Sequence, residues 1–145
     1  MAYTPQQLGS LNRLLSNIII PANPALNIIP SFLTKEAVSW EPQGQATTRL
    51  PGLTGGVNSP EPYLMTRVTI HLLKSIALSD AYLQQFEQNT LIGEVTFYFD
   101  SPVMNPRQLT NAALTGVNGI SGSGTDAGMV VTLEGDWNVN QLLWP

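Results

Sequence analysis

Residues 63–102 have the sequence YLMTRVTIHLLKSIALSDAYLQQFEQNTLIGEVTFYFDSP, which predicts a strand, a helix and a second strand. Side chains of a strand point alternately to its two faces. Over residues 63–75 this divides Leu64, Thr66, Val68, Ile70 and Leu72 from Met65, Arg67, Thr69 and His71. Over residues 93–102 it divides Val95, Phe97 and Phe99 from Glu94, Thr96, Tyr98 and Asp100. Each strand therefore has one face for a core and one face for solvent.

The helix between these strands is predicted over residues 79–90. Ser79 is a suitable N-cap residue, because its hydroxyl can accept a backbone N–H of the first turn. The apolar side chains of the segment form a narrow stripe at helical spacing. The residues expected to pack the helix on the sheet are Tyr82, Leu83 and Phe86.

The rest of the chain adds strands and one irregular segment. Further strands are expected over 37–43, 109–117 and 128–137, the last with Met129, Val131 and Leu133 opposed to Val130, Thr132, Glu134 and Asp136. Residues 1–36 contain Pro21, Pro24 and Pro30, which interrupt helices and central strands, and this predicts an extended N-terminal arm. Whether the arm packs on its own barrel or on a neighbour stays open. The fold class is mainly β: a small sandwich or barrel with one helix, in a single domain of residues 1–145.

A long Gly- and Pro-rich excursion separates two of these strands, at residues 41–62. Its central part, TRLPGLTGGVNSPEP at 48–62, carries no residue type typical of catalysis. Loops longer than about 12–15 residues are uncommon in small domains unless they have a role. The excursion is therefore expected to have a role of its own, and the alternative is an ordinary surface loop.

The charge content is unusually low. Charged residues make up 11% of the chain, against roughly 25% in ordinary soluble proteins. Interfaces are depleted of charge, so we expect neighbouring subunits to cover much of the surface; a neutral-surfaced monomer is the alternative. The net charge is −4 and only six Lys and Arg are present, so a basic footprint for nucleic acid is absent.

Few residues suit catalysis or metal binding. The chain has no Cys, which excludes disulfides and cysteine-based zinc sites. Its single histidine, His71, lies within an alternating strand and is interpreted as structural. The glycine-rich stretch GSGTDAG at 122–128 precedes a strand rather than a helix, which disfavours a phosphate site. Glu134 and Asp136 could act as a carboxylate pair in a carbohydrate-processing site or belong to a solvated sheet face.

Residues 67–101 resemble the middle of tail tube proteins of contractile-tailed bacteriophages. In those proteins a strand enters a helix of the type L-x-D-A-Y-x-x-Q-x-x-x-N and returns as a strand that ends in a polar corner. The closing segment DAGMVVTLEGDWNVN, residues 126–140, is similar to their final strand. The resemblance is most specific over 67–101 and covers most of the chain loosely.

The resemblance implies a structural virion protein rather than an enzyme, with no cofactor, metal or catalytic residue. Six subunits would form a ring, and rings would stack into a tail tube inside a sheath. The partners implied are further copies of the chain, sheath and baseplate proteins, and tape-measure protein and DNA in the lumen, without a membrane. Localisation would be the virion tail, after synthesis in the host cytoplasm.

The resemblance also assigns surfaces. The excursion of residues 41–62 would be a long inter-strand hairpin that reaches the adjacent ring through residues Leu50, Pro51, Gly52, Leu53, Thr54, Gly55, Gly56, Val57 and Asn58. An acidic lumen would let DNA slide during ejection, and the candidates to line it are Glu94, Thr96, Asp100, Glu134 and Asp136. Arg67 is expected to pair with one of these carboxylates. The alternatives are a baseplate tube initiator or secretion-system tube subunit and, in another class, a small ligand- or carbohydrate-binding β-domain.

Overall fold

The computed structural model describes residues 9–144. It is mainly β, with one α-helix and three short 3₁₀ turns in the described range. The helix α1 spans Ala77–Gln88. The strands are β1 Asn17–Ile19, β2 Leu33–Gln43, β3 Thr47–Pro51, β4 Gly56–Pro60, β5 Tyr63–Leu73, β6 Leu91–Tyr98, β7 Arg107–Asn118 and β8 Gly128–Asn138.

Six strands form one antiparallel sheet in the order β1-β6-β7-β8-β5-β2, which curls into a half-barrel. The two long central strands, β5 and β8, pair without interruption from Tyr63↔Asn138 to Leu73↔Gly128. β3 and β4 form a separate two-stranded sheet. The predicted mainly β fold with one helix and a long hairpin is therefore confirmed.

The alternation predicted for the central strands is confirmed. On β5 every second residue from Leu64 to Leu72 is buried, and on β8 the same holds from Met129 to Gly135. These side chains form the floor of one hydrophobic core, together with residues of β6, β7, α1 and the N-terminal segment. Burying apolar area at about 25 cal/mol per Å² makes this core the main source of stability.

The helix begins two residues earlier than the sequence predicts. Ile76 is the N-cap residue, and Ser79 lies inside the first turn, where its hydroxyl donates to Ile76 O at 2.7 Å. Ser79 is therefore a buried helix residue, and its prediction as the N-cap was wrong. The shift brings Leu78 into the helix, one turn before Tyr82 on the same face.

Two of the three residues predicted to pack the helix do so. Tyr82 is fully buried and Leu83 packs partly buried against the core, whereas Phe86 is 39% exposed at the edge of the contact. Leu78, which is 9% exposed, also packs on the core. It was not among the predicted packing residues because the helix was predicted to start after it. The apolar stripe is thus centred one turn closer to the N-terminus than expected.

The middle of the N-terminal arm, residues 18–28, packs on the core of its own chain, whereas residues 9–14 are exposed. Ile18, Ile20, Leu26 and Ile28 are all no more than 2% exposed and belong to the core. The Tyr82 hydroxyl donates a hydrogen bond of 2.6 Å to Leu26 O and so joins α1 to this segment. Residues 1–8 of the predicted arm lie outside the described residues.

Strand boundaries differ from the predictions where the backbone departs from regular pairing. β2 starts at Leu33 rather than at residue 37, and a bulge at Ala37, whose φ is +52°, breaks its alternation. β6 ends at Tyr98 rather than at residue 102, because the chain then turns and Asp100 O accepts a hydrogen bond from Asn12 N. β7 begins two residues before its predicted start at residue 109 and ends one residue after its predicted end at residue 117.

Replacing Tyr82 with Phe should lower the free energy of unfolding by about 1–3 kcal/mol, because Leu26 O would remain buried without a donor. Burial raises the pKa of the Tyr82 hydroxyl, so it stays a neutral donor across the physiological range. Urea unfolding measures the change. The matched control is Tyr98→Phe at a 38% exposed position, which should change stability by less than about 0.5 kcal/mol. Equal effects of the two substitutions would contradict the role of this hydrogen bond.

Candidate functional site

The predicted excursion is a two-stranded ribbon that continues the β2–β5 ladder. Pairing between β2 and β5 ends at Gln43↔Met65, the chain turns at Gly44 with φ +88°, and pairing resumes from Thr47↔Pro60 to Pro51↔Gly56. Residues 41–43 therefore belong to the main sheet rather than to the excursion. Nine of the ten residues of β3 and β4 are exposed. Among the described residues, the two strands pack mainly on each other.

The ribbon has an apolar face and a polar face. Leu50 and Val57 are directly opposed, so their side chains lie on one face, while the neighbouring pair Arg49↔Asn58 lies on the other. Leu50 is 49% exposed, Val57 58%, and Leu53 at the tip is fully exposed. An uncovered apolar face on a projecting ribbon is a feature of binding surfaces.

The root of the ribbon is held by the C-terminal segment. Asn140 donates through Nδ2 to Ala46 O at 3.1 Å and to Glu61 O at 2.8 Å, and so contacts both strands of the root. The Glu61 N–H also donates to Ala46 O at 2.8 Å. These bonds fix the direction in which the ribbon leaves the sheet.

One glycine at the tip is required by a close backbone contact, and a second leaves room for a flexible side chain. The tip turn, residues 52–55, is closed by a hydrogen bond of 2.8 Å from Gly52 N to Gly55 O. A Cβ on Gly52 would lie 2.7 Å from Gly55 O, and a Cβ on Gly56 would lie 2.6 Å from Nη2 of Arg49. The glycines thus permit a tight tip and let the Arg49 side chain lie across the polar face.

A second surface is the face of the main sheet that points away from the core. Here Arg67 of β5 has Glu41 of β2 as its pairing partner on one side and Glu134 of β8 on the other. Arg67 Nε donates to Glu134 Oε1 at 3.0 Å, which confirms the expected ion pair. In the next row, Asp136 is opposite Met65 and Thr110. We call this surface the outward face.

The structure brings together four of the five residues predicted to line a lumen. Thr96, Glu134 and Asp136 lie on the outward face, and Glu94 is exposed in the bulged part of β6, directly before buried Val95. Asp100 lies beyond the end of β6, away from this face. The charged residues of the outward face are Arg67 and the carboxylates Glu41, Glu94, Glu134 and Asp136, and Arg107 lies at its edge beside Thr96 and Gln108.

Sequence reasoning missed Glu41 as a member of this face. It assigned residue 41 to the excursion, whereas Glu41 pairs with Arg67 inside the sheet. The continued alternation of Ser39, Trp40 and Glu41 would have been the signal, but Pro42 suggested that the strand ended. Pro42 is tolerated because β2 is an edge strand.

An open cleft of about 720 Å³ lies between β2 and β6, where the half-barrel does not close. Trp40 packs edge-on against Phe97 and Phe99, with ring centroids 4.9 and 5.8 Å apart. These three rings line the cleft, and Arg13, Lys35, Glu36 and Asp100 are its charged residues. We call it the aromatic cleft.

The residues considered for catalysis, His71, Glu134 and Asp136, do not line the aromatic cleft. Within residues 9–144 no group of three or more His, Cys, Asp or Glu side chains is placed to hold a metal ion. Glu134 and Asp136 do not line the aromatic cleft, and Glu134 is paired with Arg67. His71 is partly buried on the outward face of β5. In the same range, no helix combines the length and the apolar character needed to cross a bilayer.

Replacing Arg67 with Gln should change the free energy of unfolding by less than about 1 kcal/mol, because the Arg67–Glu134 pair is exposed to solvent. The comparison is Ile70→Ala on the same strand, which should cost about 2–5 kcal/mol because Ile70 is fully buried. Urea unfolding of both variants gives the values. A loss from Arg67→Gln as large as that from Ile70→Ala would show that the ion pair supports the fold.

The sequence matches no known protein-family model and no curated protein with which it was compared. The hairpin, the outward face and the aromatic cleft are therefore interpreted from their own geometry and chemistry.

Proposed function

We propose that this chain is a structural virion protein, a subunit of the tail tube of a contractile-tailed bacteriophage. Copies would form hexameric rings that stack into a tube, and DNA would pass through the lumen during ejection. In this function the chain acts by assembly rather than by catalysis. The resemblance of residues 67–101 to tail tube proteins suggested it, and three features of the molecule support it.

The observation that carries the proposal is the projecting ribbon. Its apolar face, formed by Leu50, Leu53 and Val57, has no cover within the described chain. Its root is held by Asn140, so the ribbon presents that face in a defined direction. A rigid projection with an uncovered apolar face suits contact with a copy in the next ring.

Free strand edges support ring formation. β2 is an edge strand of eleven residues, and at the other edge the three residues of β1 cover β6 only from Thr96 to Tyr98. Unpaired edges are a hazard for a monomer but an attachment site for a neighbour. A head-to-tail contact between unlike edges closes into a ring when the rotation between subunits permits it.

The outward face supports passage of DNA. It carries four carboxylates, with Arg67 among them and Arg107 at the edge, set among threonines and other neutral residues. Six copies would repeat this pattern around a lumen, and like charges would keep phosphates from adhering. Together with the low total charge, this distribution suits a conduit whose other surfaces are buried in contacts.

Two alternatives make different predictions. A baseplate tube initiator or a secretion-system tube subunit would form rings that do not stack into long tubes by themselves. A small ligand- or carbohydrate-binding domain would remain a monomer and bind its ligand in a saturable manner. Glu134 and Asp136 lie on an open sheet face rather than in a cavity, which favours assembly over carbohydrate processing.

Replacing Leu50–Val57 with Asn-Gly should abolish long tubes and leave the fold intact. The ribbon would then close directly after the Arg49↔Asn58 pair with a two-residue turn of a favoured type. Negative-stain electron microscopy measures tube length, and circular dichroism and urea unfolding measure the fold. A matched variant, Leu50→Thr with Val57→Thr, keeps the ribbon but removes its apolar face, and it should also fail to stack. Long tubes from either folded variant would contradict the role of the hairpin.

Reversing charge on the outward face should make assembled tubes retain DNA. The variant Glu94→Lys with Asp136→Lys leaves the Arg67–Glu134 pair in place and adds basic groups where a lumen is proposed. Its DNA binding should fall steeply with added salt, as phosphate contacts do. DNA retained by purified tubes is measured over a salt series.

The control for this charge reversal is Glu87→Lys, an exposed position on α1 away from the outward face. Tubes of this variant should retain no more DNA than unmodified tubes. If neither variant retains DNA, or both retain it equally, the outward face does not line the lumen.

A further inference from the structure

Asn118 is the only Asn of the chain that is followed by Gly. It is the last residue of β7, it pairs with Val130 of β8, and it is exposed. Gly119 follows the strand with a φ of +68°. The Asn-Gly pair therefore lies where the sheet ends and the loop of residues 119–127 begins.

We propose that Asn118 is a modification site, at which the chain deamidates spontaneously. The backbone N of Gly119 attacks Cγ of Asn118, and the new C–N bond closes a succinimide ring. The bond between Cγ and Nδ2 of Asn118 breaks, and the side-chain nitrogen leaves as ammonia with the proton that Gly119 N loses. Water then opens the ring at either carbonyl, which leaves aspartate or isoaspartate at residue 118. The reaction needs only water and the chain itself, so the site does not depend on the proposed function.

Both reacting groups are free of other contacts. Within the described residues, Thr115 and Ser121 form hydrogen bonds on either side of the site, whereas none uses the Asn118 side chain or Gly119 N. Gly119 has no Cβ to crowd the approach of Cγ, and its φ is one that residues with a Cβ rarely adopt. The structure thus leaves the nucleophile and the amide carbon able to meet.

The other asparagines lack this combination. Asn23 and Asn105 precede Pro, whose N has no proton to lose. Asn58 is the best comparison, because it is equally exposed, but it lies inside β4 and is followed by Ser59, which continues the ladder opposite Thr48. Asn is a thermolabile residue type in general, and this chain places one Asn where the reaction is least hindered.

The aspartate product adds a carboxylate to the outward face. Val117 packs on the core, so the neighbouring Asn118 side chain points away from it, in one row with Val130 and His71. The formal net charge of −4 becomes more negative by one for each converted chain. In a tube with the outward face in its lumen, this charge would add to those that repel phosphates.

The isoaspartate product changes the backbone as well. It inserts one additional CH₂ group into the main chain between two fixed points. One is the Asn118↔Val130 pair, and the other is Ser121 O, which accepts a hydrogen bond of 2.7 Å from Lys74 Nζ. The insertion should displace the loop from Lys74 and leave the core in place.

The test follows the mass of the folded protein during a long incubation in mildly alkaline buffer at physiological temperature. Trypsin leaves residues 108–145 as one peptide, because Arg107 is the last Lys or Arg of the chain. Electron-transfer fragmentation of this peptide locates the converted residue and distinguishes aspartate from isoaspartate. We expect the mass gain at residue 118, with less conversion in mildly acidic buffer, because the attack requires Gly119 N to lose its proton.

Three variants test the assignment. Asn118→Gln should abolish the mass gain, and Gly119→Ala should slow it severalfold. The matched control is Asn58→Gln, which should leave the rate of conversion unchanged. Circular dichroism and urea unfolding check that each variant is folded; Asn118→Gln changes only an exposed side chain and keeps the test valid if Gly119→Ala does not fold.

The outcomes are distinct. Conversion at residue 118 that is lost in Asn118→Gln and unchanged in Asn58→Gln supports the site. A mass that stays constant, or a gain shared equally with the other asparagines, overturns it. Conversion of a folded Gly119→Ala variant at the unmodified rate also overturns it, because the attack by an unhindered Gly119 N would then not control the reaction. None of these results bears on whether the chain forms tubes.

Discussion

The uninterrupted antiparallel ladder between β5 and β8 is the constraint on which the other features depend. It joins residues 63–73 to residues 128–138 without a bulge, and its core-facing side chains are almost all apolar. Because the side-chain period of a strand is two, a shift of this ladder by one residue would exchange the core face and the outward face. The ladder therefore determines at once which side chains build the core and which carboxylates meet solvent.

The features proposed for assembly are extensions of this ladder rather than separate additions. β2 pairs with β5 along the other edge, and the ribbon continues that pair beyond Gln43↔Met65. The end of β8 leads directly to Asn140, which holds the root of the ribbon. The direction of the ribbon is thus set by the same strands that place the outward face, which suits a subunit whose contacts must repeat in register.

The interior of the domain is satisfied, and the ribbon is the part that the proposed assembly would cover. The core is well packed, and among the residues described every buried side-chain polar atom has a hydrogen-bond partner. Large apolar side chains are exposed in the ribbon, in the last residues, where Leu142 is fully exposed, and at separate positions such as Leu11, Leu91 and Val103. Single exposed apolar residues are normal in folded proteins, so the ribbon is the feature that calls for a partner.

The sequence alone determined the elements whose pattern is local. Alternation predicted the two faces of β5 and β8, because this signal depends only on neighbouring residues. The Gly- and Pro-rich stretch indicated a long excursion, and the resemblance predicted that it is a hairpin. The expected pairing of Arg67 followed from the same alternation, but only the register between β5 and β8 selected Glu134. The start of α1, the bulge at Ala37 and the position of Asp100 became known only from the structure. For Asp100 a long-range contact is visible, since its backbone O accepts a hydrogen bond from Asn12 N. The sequence did not predict the aromatic cleft, because Trp40 and Phe97 are far apart in the chain. They come together only when the sheet curls and its two edges approach.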